Sequence, residues 1–236
     1  AALTGDWFGS RAVIAPSVAI REVDADEAFG VATGDGGPAI GGGWIGYLSY
    51  PDASADGCGP RIAEAAGGWT DSVLRQDQDG DWWYESLSGA APPDWLLAAV
   101  ATRAAPGRWT IDWTEPDRDL HHAGVIDCLE AIAAGEVYQA CVCTQFTGRI
   151  DGSPVDFFAD AVTLTAPGRA AFVMGDWGAV ASLSPELFLS RRGDVVTSSP
   201  IKGTLPLDES PSALRSSVKD VAENIMIVDL VRSNDS

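Results

Sequence analysis

Hydrophobic and polar positions change period several times along this chain. The apolar run Leu187-Phe188-Leu189 is interrupted at Arg192-Gly193-Asp194 and resumes at Val195-Val196-Thr197, which predicts a β-hairpin turning near Gly193. Downstream, Ser217-Val218-Lys219-Asp220 has the spacing of a capping box and predicts a helix from Val218 to about Val231. Upstream, Val125, Leu129 and Ile132 recur at helical spacing, and Gly135 is a suitable stop. From Val137 to Phe146 the period drops to two and predicts a strand. Tyr138, Ala140, Val142, Thr144 and Phe146 share one face, and Gln139, Cys141, Cys143 and Gln145 the other. Ala171–Met174 and Ala179–Leu183 read as further strands.

The first 116 residues show short β-like segments broken by glycines, including Trp44-Ile45-Gly46-Tyr47-Leu48 after Gly41-Gly42-Gly43, and Trp82-Trp83-Tyr84. Residues 85–118 are rich in Ala, Pro and Asp; they predict a surface connection between two halves, with a short helix around Trp95 to Val100. The linear division is therefore 1–116, rich in β-structure, and 117–236.

Composition adds constraints rather than a fold. With 46% hydrophobic and 21% charged residues, 236 residues suffice for one large core or two smaller ones. A formal charge of −19 argues against nucleic acid or an anionic membrane surface as partner, because like charges raise the cost of approach. An anionic substrate would need that field reversed locally, by Lys and Arg or by a divalent cation. Cys58, Cys128, Cys141 and Cys143 show no zinc-ligand spacing, and the Cys141/Cys143 pair suits buried thiols on one strand face. With no signal peptide and no apolar run of about 18 residues, this usage predicts a reducing cytoplasm. The sequence lacks an initiating Met and stops just after the apolar run Ile225-Met226-Ile227-Val228, which predicts further residues that cover that helix.

The candidate chemistry centres on the ends of the predicted hairpin. Glu186 falls opposite positions 199 to 201, so Lys202 lies within a residue or two of it. A Lys and a Glu so placed can be a solvated ion pair worth ~0–1 kcal/mol. They can equally be two groups acting on one small molecule, with Pro200-Ile201 as a rigid apolar approach and Gly203 as a point of close backbone access. The triple glycine has no phosphate-loop continuation and precedes a strand-like run, so it reads as a tight turn or bulge. His121 and His122 read as surface residues, and the nine tryptophans as core rather than a stacking platform. The Gln139/Cys141/Cys143/Gln145 row could be an outer sheet face or the lining of a semi-polar cavity. Asp220 and Glu223, one turn apart, could form half of a divalent-cation site; an i,i+4 pair of Glu223 with Lys219 is the plainer alternative.

Four motifs in order carry a resemblance. Gly135-Glu136-Val137-Tyr138-Gln139, Ser184-Pro185-Glu186-Leu187-Phe188-Leu189, Pro200-Ile201-Lys202-Gly203-Thr204, and Lys219 to Leu230 with its Lys-Asp-Val-Ala-Glu-Asn start are similar to those of chorismate-utilising enzymes. That family includes the anthranilate, aminodeoxychorismate, isochorismate and salicylate synthases. The resemblance covers about residues 119–232; residues 1–115 resemble the family's less distinctive N-terminal region. It implies an α+β fold of antiparallel β-sheets packed face to face with helices outside, which the hairpin-rich pattern permits. The chain would then hold an N-terminal β-rich region and the first part of the chorismate-binding catalytic region.

Two positions discriminate within the family. Members that add water to the ring have a basic Lys at the place of Gln139, and Gln cannot deprotonate water. Anthranilate synthases usually have Ala at the place of Lys202, so the resemblance implies the aminodeoxychorismate branch, with the anthranilate branch as the alternative.

By that resemblance, Lys202 attacks C2 of chorismate as a neutral amine, Glu186 protonates the departing 4-hydroxyl, and ammonia enters at C4 and expels the lysine. Gln139, Gly203 and Thr204 would contact substrate. Glu223 would hold Mg2+ with support from Asp220. Ammonia would come from a glutamine amidotransferase subunit or fused domain, and the product would lead to 4-aminobenzoate and folate. The chain departs from the family after Asp229-Leu230, where Ser233 interrupts the expected Arg-Asn-Asp-Leu run. The family's second carboxylate helix, active-site histidine and substrate-carboxylate arginines belong to a further C-terminal portion. This chain is therefore expected to lack part of the site, and a reading of another class is a non-catalytic fragment that binds an aromatic metabolite.

Overall fold

Short, glycine-punctuated apolar runs cannot bury themselves alone, and in the computed structural model they pair into antiparallel sheets. The structure describes residues 1–30, 39–49, 62–102, 105, 107–206 and 208–233. It divides into two units, Ala1–Ala91 with Pro167–Ser236, and Pro92–Ala166. The division at 116 is a boundary along the chain, whereas these units are discontinuous, so one does not decide the other.

In chain order the first unit begins with β1 (Ala2–Trp7), β2 (Ser10–Ile14), β3 (Arg21–Glu22), β4 (Gly43–Leu48), β5 (Ala65–Thr70), β6 (Ser72–Gln76) and β7 (Trp82–Ser86). The second unit holds α1 (Asp94–Ala101), β8 (Thr110–Thr114), α2 (Arg118–Ala134), β9 (Thr147–Asp151) and α3 (Pro154–Thr165). The chain then returns to the first unit with β10 (Arg169–Gly175), β11 (Gly178–Ser182), β12 (Leu187–Arg192), β13 (Val195–Ser199), α4 (Ser212–Ser216) and α5 (Val218–Ser233).

In the first unit a six-stranded sheet runs β11-β10-β1-β2-β6-β7, and a three-stranded sheet runs β3-β5-β4. Every pairing is antiparallel, and β1 recruits β10 from far along the chain, with Ala2 opposite Phe172. Val13, Ala15 and Val73 form a buried cluster against which Leu3 of the large sheet and Ile45 of the small one both pack. That shared cluster makes the two sheets face one another, as the α+β expectation required. Val13 and Val73 are each 3% exposed, and burial of such a side chain contributes about 1.5–3 kcal/mol. On the other face of the small sheet Gly67 makes room for the Trp44 ring, which a methyl there would overlap.

The tryptophans depart from their expected core role: Trp69, Trp82, Trp83, Trp95 and Trp113 are exposed, while the core is made of smaller residues. Trp82 and Trp83 lie on an edge strand, which has no neighbour on one side to cover large rings. The triple glycine is the tight turn that its sequence predicted. Gly41 has φ +68°, and the Gly42 amide donates to the Ile40 carbonyl at 2.7 Å. Glu85 Oε2 accepts from the Ile40 and Gly41 amides at 2.7 and 3.1 Å, so an internal carboxylate already occupies these donors.

In the second unit, α2 starts where Asp117 accepts from the amides of Asp119 and Leu120, and it ends at Gly135 with φ +78°. Two expectations need correction. The connecting stretch 85–118 contains β8, whose Thr110-Ile111-Asp112-Trp113-Thr114 pairs with β9. The strand predicted over Val137–Phe146 does not form: β9 starts only at Thr147. Alternation describes an extended chain, but a strand also needs a ladder partner, and among the described residues this segment has none. Cys141 and Cys143 do lie on one side, 3.5 Å apart through their sulfurs, yet both are exposed rather than buried.

Candidate active site

The hairpin from Leu187 to Ser199 supplies the scaffold. Arg192 pairs with Val195 across the two-residue turn Gly193-Asp194, where Gly193 takes φ +60° as a tight hairpin turn requires. A register irregularity between Leu187 and Ser190 shifts the ladder, and Leu187 ends opposite Ser199. Glu186 is thereby carried level with Ile201, whose amide donates to Glu186 Oε1 at 3.0 Å. The same oxygen lies 3.8 Å from Lys202 Nζ. The Lys202 side chain is 21% exposed and that of Glu186 42%, so Lys202 is the more sheltered side chain. At that length and exposure the ion pair adds no more than ~0–1 kcal/mol. The hydrogen bond from the Ile201 amide is shorter than the ion pair and fixes the Glu186 carboxylate.

Beyond Lys202 the chain turns at Gly203, with φ +80°. A methyl at Gly203 would sit 2.6 Å from Leu214 Cδ2 and 3.3 Å from Asp220 Cγ, so glycine lets this backbone approach α4 and α5. Helix α5 begins as its sequence predicted: Ser217 Oγ accepts from the Asp220 amide at 3.2 Å, and the Val221 amide donates to the Ser217 carbonyl. Asp220 in the first turn also complements the helix dipole. Between these elements lies a cavity of about 300 Å³ lined by Lys202, Leu214, Arg215, Asp220, Val221 and Asn224.

The structure thus brings Glu186, Lys202, Gly203 and Asp220 together at the start of α5. Glu223 follows one turn later on the same helix and is half-buried; Thr204 is exposed just past Gly203. Gln139 is exposed and belongs to the second unit, between α2 and β9. His121 and His122 are exposed on α2, and His121 Nε2 lies 3.2 Å from the Val142 carbonyl oxygen. Cys58 lies outside the described residues. No group of three His, Cys, Asp or Glu among the described residues is placed to hold a metal ion.

Sequence reasoning missed Leu214, Arg215, Val221 and Asn224 as cavity walls. Leu214 and Arg215 sit on the five-residue α4, too short for periodicity to announce. Pro211 ahead of Ser212-Ala213-Leu214-Arg215 was the available signal. Val221 and Asn224 were inside a quoted motif, but spacing alone did not say which of its residues face Lys202.

Known proteins resemble this chain in sequence and in fold. The sequence profile of the family described as "chorismate binding enzyme" matches residues 19–234. An aminodeoxychorismate synthase of Streptomyces pristinaespiralis is 31% identical over 228 residues, which cover 81% of this chain and 31% of the relative. Aminodeoxychorismate synthase component 1 of Klebsiella aerogenes is 36% identical over 149 residues, covering 59% of this chain and 33% of the relative. Among solved structures, anthranilate synthase component I from Streptococcus pneumoniae shares the fold with a TM-score of 0.64 at 20% identity, over 82% of this chain and 49% of that one. The chain spans about a third of the length of the curated relatives it matches.

Proposed function

Because the chain belongs to the chorismate binding enzyme family, we propose that it carries the lysine and the acid of an aminodeoxychorismate synthase, the enzyme that converts chorismate and ammonia to 4-amino-4-deoxychorismate and water. The observation that carries this reading is the Glu186–Lys202 pair at 3.8 Å, set in the Ser-Pro-Glu and Pro-Ile-Lys-Gly-Thr contexts at the two ends of one hairpin. The curated relatives named as aminodeoxychorismate synthases support the choice of branch.

The two side chains divide the chemistry. The reaction needs a neutral amine and a carboxylic acid, and one proton passed from Lys202 Nζ to Glu186 produces both at once. The Lys202 nitrogen then forms a bond to ring C2 as the ring double bonds shift and the bond from C4 to its hydroxyl oxygen breaks. Glu186 gives its proton to that oxygen, which leaves as water. Ammonia adds at C4, the double bonds shift back, and the bond from C2 to Lys202 breaks. The Ile201 amide on Glu186 holds the carboxyl facing this work while leaving its second oxygen uncommitted to that amide. Gly203 and Thr204 continue the same backbone beyond Lys202 and are the proposed substrate contacts.

The residues present fit a hard divalent cation in part. Asp220 borders the cavity that Lys202 lines, and Glu223 is one turn along the same helix, so two carboxylates offer oxygen ligands and leave the rest of the shell to water and substrate. Asp220 and Glu223 would hold Mg2+, which when bound neutralises a carboxylate of the dianionic substrate against a chain of net charge −19. Ammonia supply by a glutamine amidotransferase, a cytoplasmic setting, and a product leading to 4-aminobenzoate and folate complete the proposal. No described helix is long and apolar enough to cross a membrane.

Ring position is the test. The protein at its full natural length is incubated with chorismate, Mg2+ and ammonium, and the product is identified by chromatography and mass. Amination at C4 supports the reading; an ortho-aminated product assigns the anthranilate branch instead and removes Lys202 from the role of nucleophile at C2.

A further inference from the structure

The second unit carries a feature that the chemistry above does not use. Cys141 and Cys143 stand two residues apart, and their side chains project to the same side, with the sulfurs 3.5 Å apart. Both side chains are exposed and neither is in a disulfide. The carbonyl between them, that of Val142, lies 3.2 Å from His121 Nε2, which ties the middle of the pair to α2. A Cβ on Gly124 of the same helix would meet Val142 at 3.5 Å, so the Val142 side chain also packs toward α2 and away from the thiols.

Two sulfurs each bonded at about 2.3 Å to one centre, at an angle of about 90–110° as at pyramidal trivalent arsenic, lie roughly 3.3–3.8 Å apart, a range that includes the observed 3.5 Å. A disulfide would require the sulfurs to close from 3.5 Å to about 2.05 Å and to adopt a near-perpendicular torsion, a much larger adjustment. We propose that Cys141 and Cys143 form a bidentate dithiol site for a soft, thiophilic centre, of which a monosubstituted trivalent arsenical is the representative ligand. The inference is independent of the chorismate chemistry and stands or falls without it.

Phenylarsine oxide is the probe. Its arsenic forms one bond to each sulfur, its oxygen leaves as water carrying both thiol protons, and no atom changes oxidation state. The reduced chain is incubated with one equivalent of the probe and its mass measured intact and after proteolysis. The proposal expects a single phenylarsenic group bridging Cys141 and Cys143 within one peptide, resistant to a monothiol and removed by a dithiol. Cys141→Ser or Cys143→Ser should weaken retention by on the order of 10²-fold or more, since the second bond is then no longer intramolecular. Cys128→Ser and Cys58→Ser should leave it unchanged. A bridged peptide containing Cys58 or Cys128, or undiminished retention in Cys141→Ser, would overturn the assignment. The peptide location is read on the unsubstituted chain, so a variant that fails to fold cannot obscure the result.

Discussion

Replacing Glu85 with Ala removes the carboxylate that fastens the triple-glycine turn to the large sheet. Glu85 lies on β7 opposite Val73, its side chain is 10% exposed, and Arg75 Nε donates to its Oε1 at 2.6 Å. Its other oxygen accepts the Ile40 and Gly41 amides. Partial burial opposes ionisation of this group, but the Arg75 hydrogen bond, the two amides and the Arg75 charge outweigh it and hold the carboxyl below its ordinary value. Hydrogen bonds to a charged group contribute about 1.5–3 kcal/mol, and breaking a buried pair costs about 3–5 kcal/mol. Glu85→Ala should therefore cost about 3–5 kcal/mol, read as a lower urea midpoint by tryptophan fluorescence and far-UV circular dichroism. Glu85→Gln, which retains one acceptor for the amides, should cost about 1–3 kcal/mol. The pH dependence has a definite sign. A carboxyl whose folded pKa lies below its unfolded value stabilises fully above that unfolded value, near 4.5, and the contribution fades as pH falls through the lower, folded value. Glu85→Gln should lack that acid-side loss. A midpoint within about 0.5 kcal/mol of the unsubstituted chain in Glu85→Ala would refute the reasoning, because surface changes already fall in that range.

Gly203→Ala should strain the +80° backbone and push Leu214 and Asp220 from the cavity, costing about 1–3 kcal/mol, with amide exchange of α5 as the readout. Ser217→Ala removes the cap on the Asp220 amide and should cost about 1 kcal/mol, with faster exchange confined to the first turn of α5; slower exchange there would contradict the cap. Glu223→Gln in the full-length protein should raise the Mg2+ concentration for half-maximal turnover by at least about 10–100-fold, the scale already set by losing an outer-shell partner of a metal ligand, and an unchanged Mg2+ dependence would remove Glu223 from the cation site.

Local pattern made the hairpin legible because its signals are near in sequence: apolar strands, a Gly-Asp turn, and Glu186 and Lys202 placed by counting residues across it. Helices α2 and α5 were legible for the same reason, through Gly135 and Ser217. Sheet order was not, since β1 finds β10 more than 160 residues later and nothing in Leu3-Thr4 names Ala170-Ala171 as its partner. Residues 137–146 show the limit from the other side. Alternation correctly put Cys141 and Cys143 on one side, yet it cannot say whether that side is covered or whether a neighbour pairs with the backbone. The cavity had the same character: Lys202 and Asp220 were singled out separately, and only the left-handed turn at Gly203 brings them to one space.

The most direct test of the central claim is the amination rate of Lys202→Ala beside the unsubstituted protein, both at full natural length, with chorismate, Mg2+ and ammonium, and with folding checked by circular dichroism. Removing the amine leaves the Ile201 amide on Glu186 and the hairpin ladder in place, so fold should be retained. The expected result is 4-amino-4-deoxychorismate from the unsubstituted protein and its loss from the variant; equal amination by a folded Lys202→Ala protein would contradict the covalent role of Lys202.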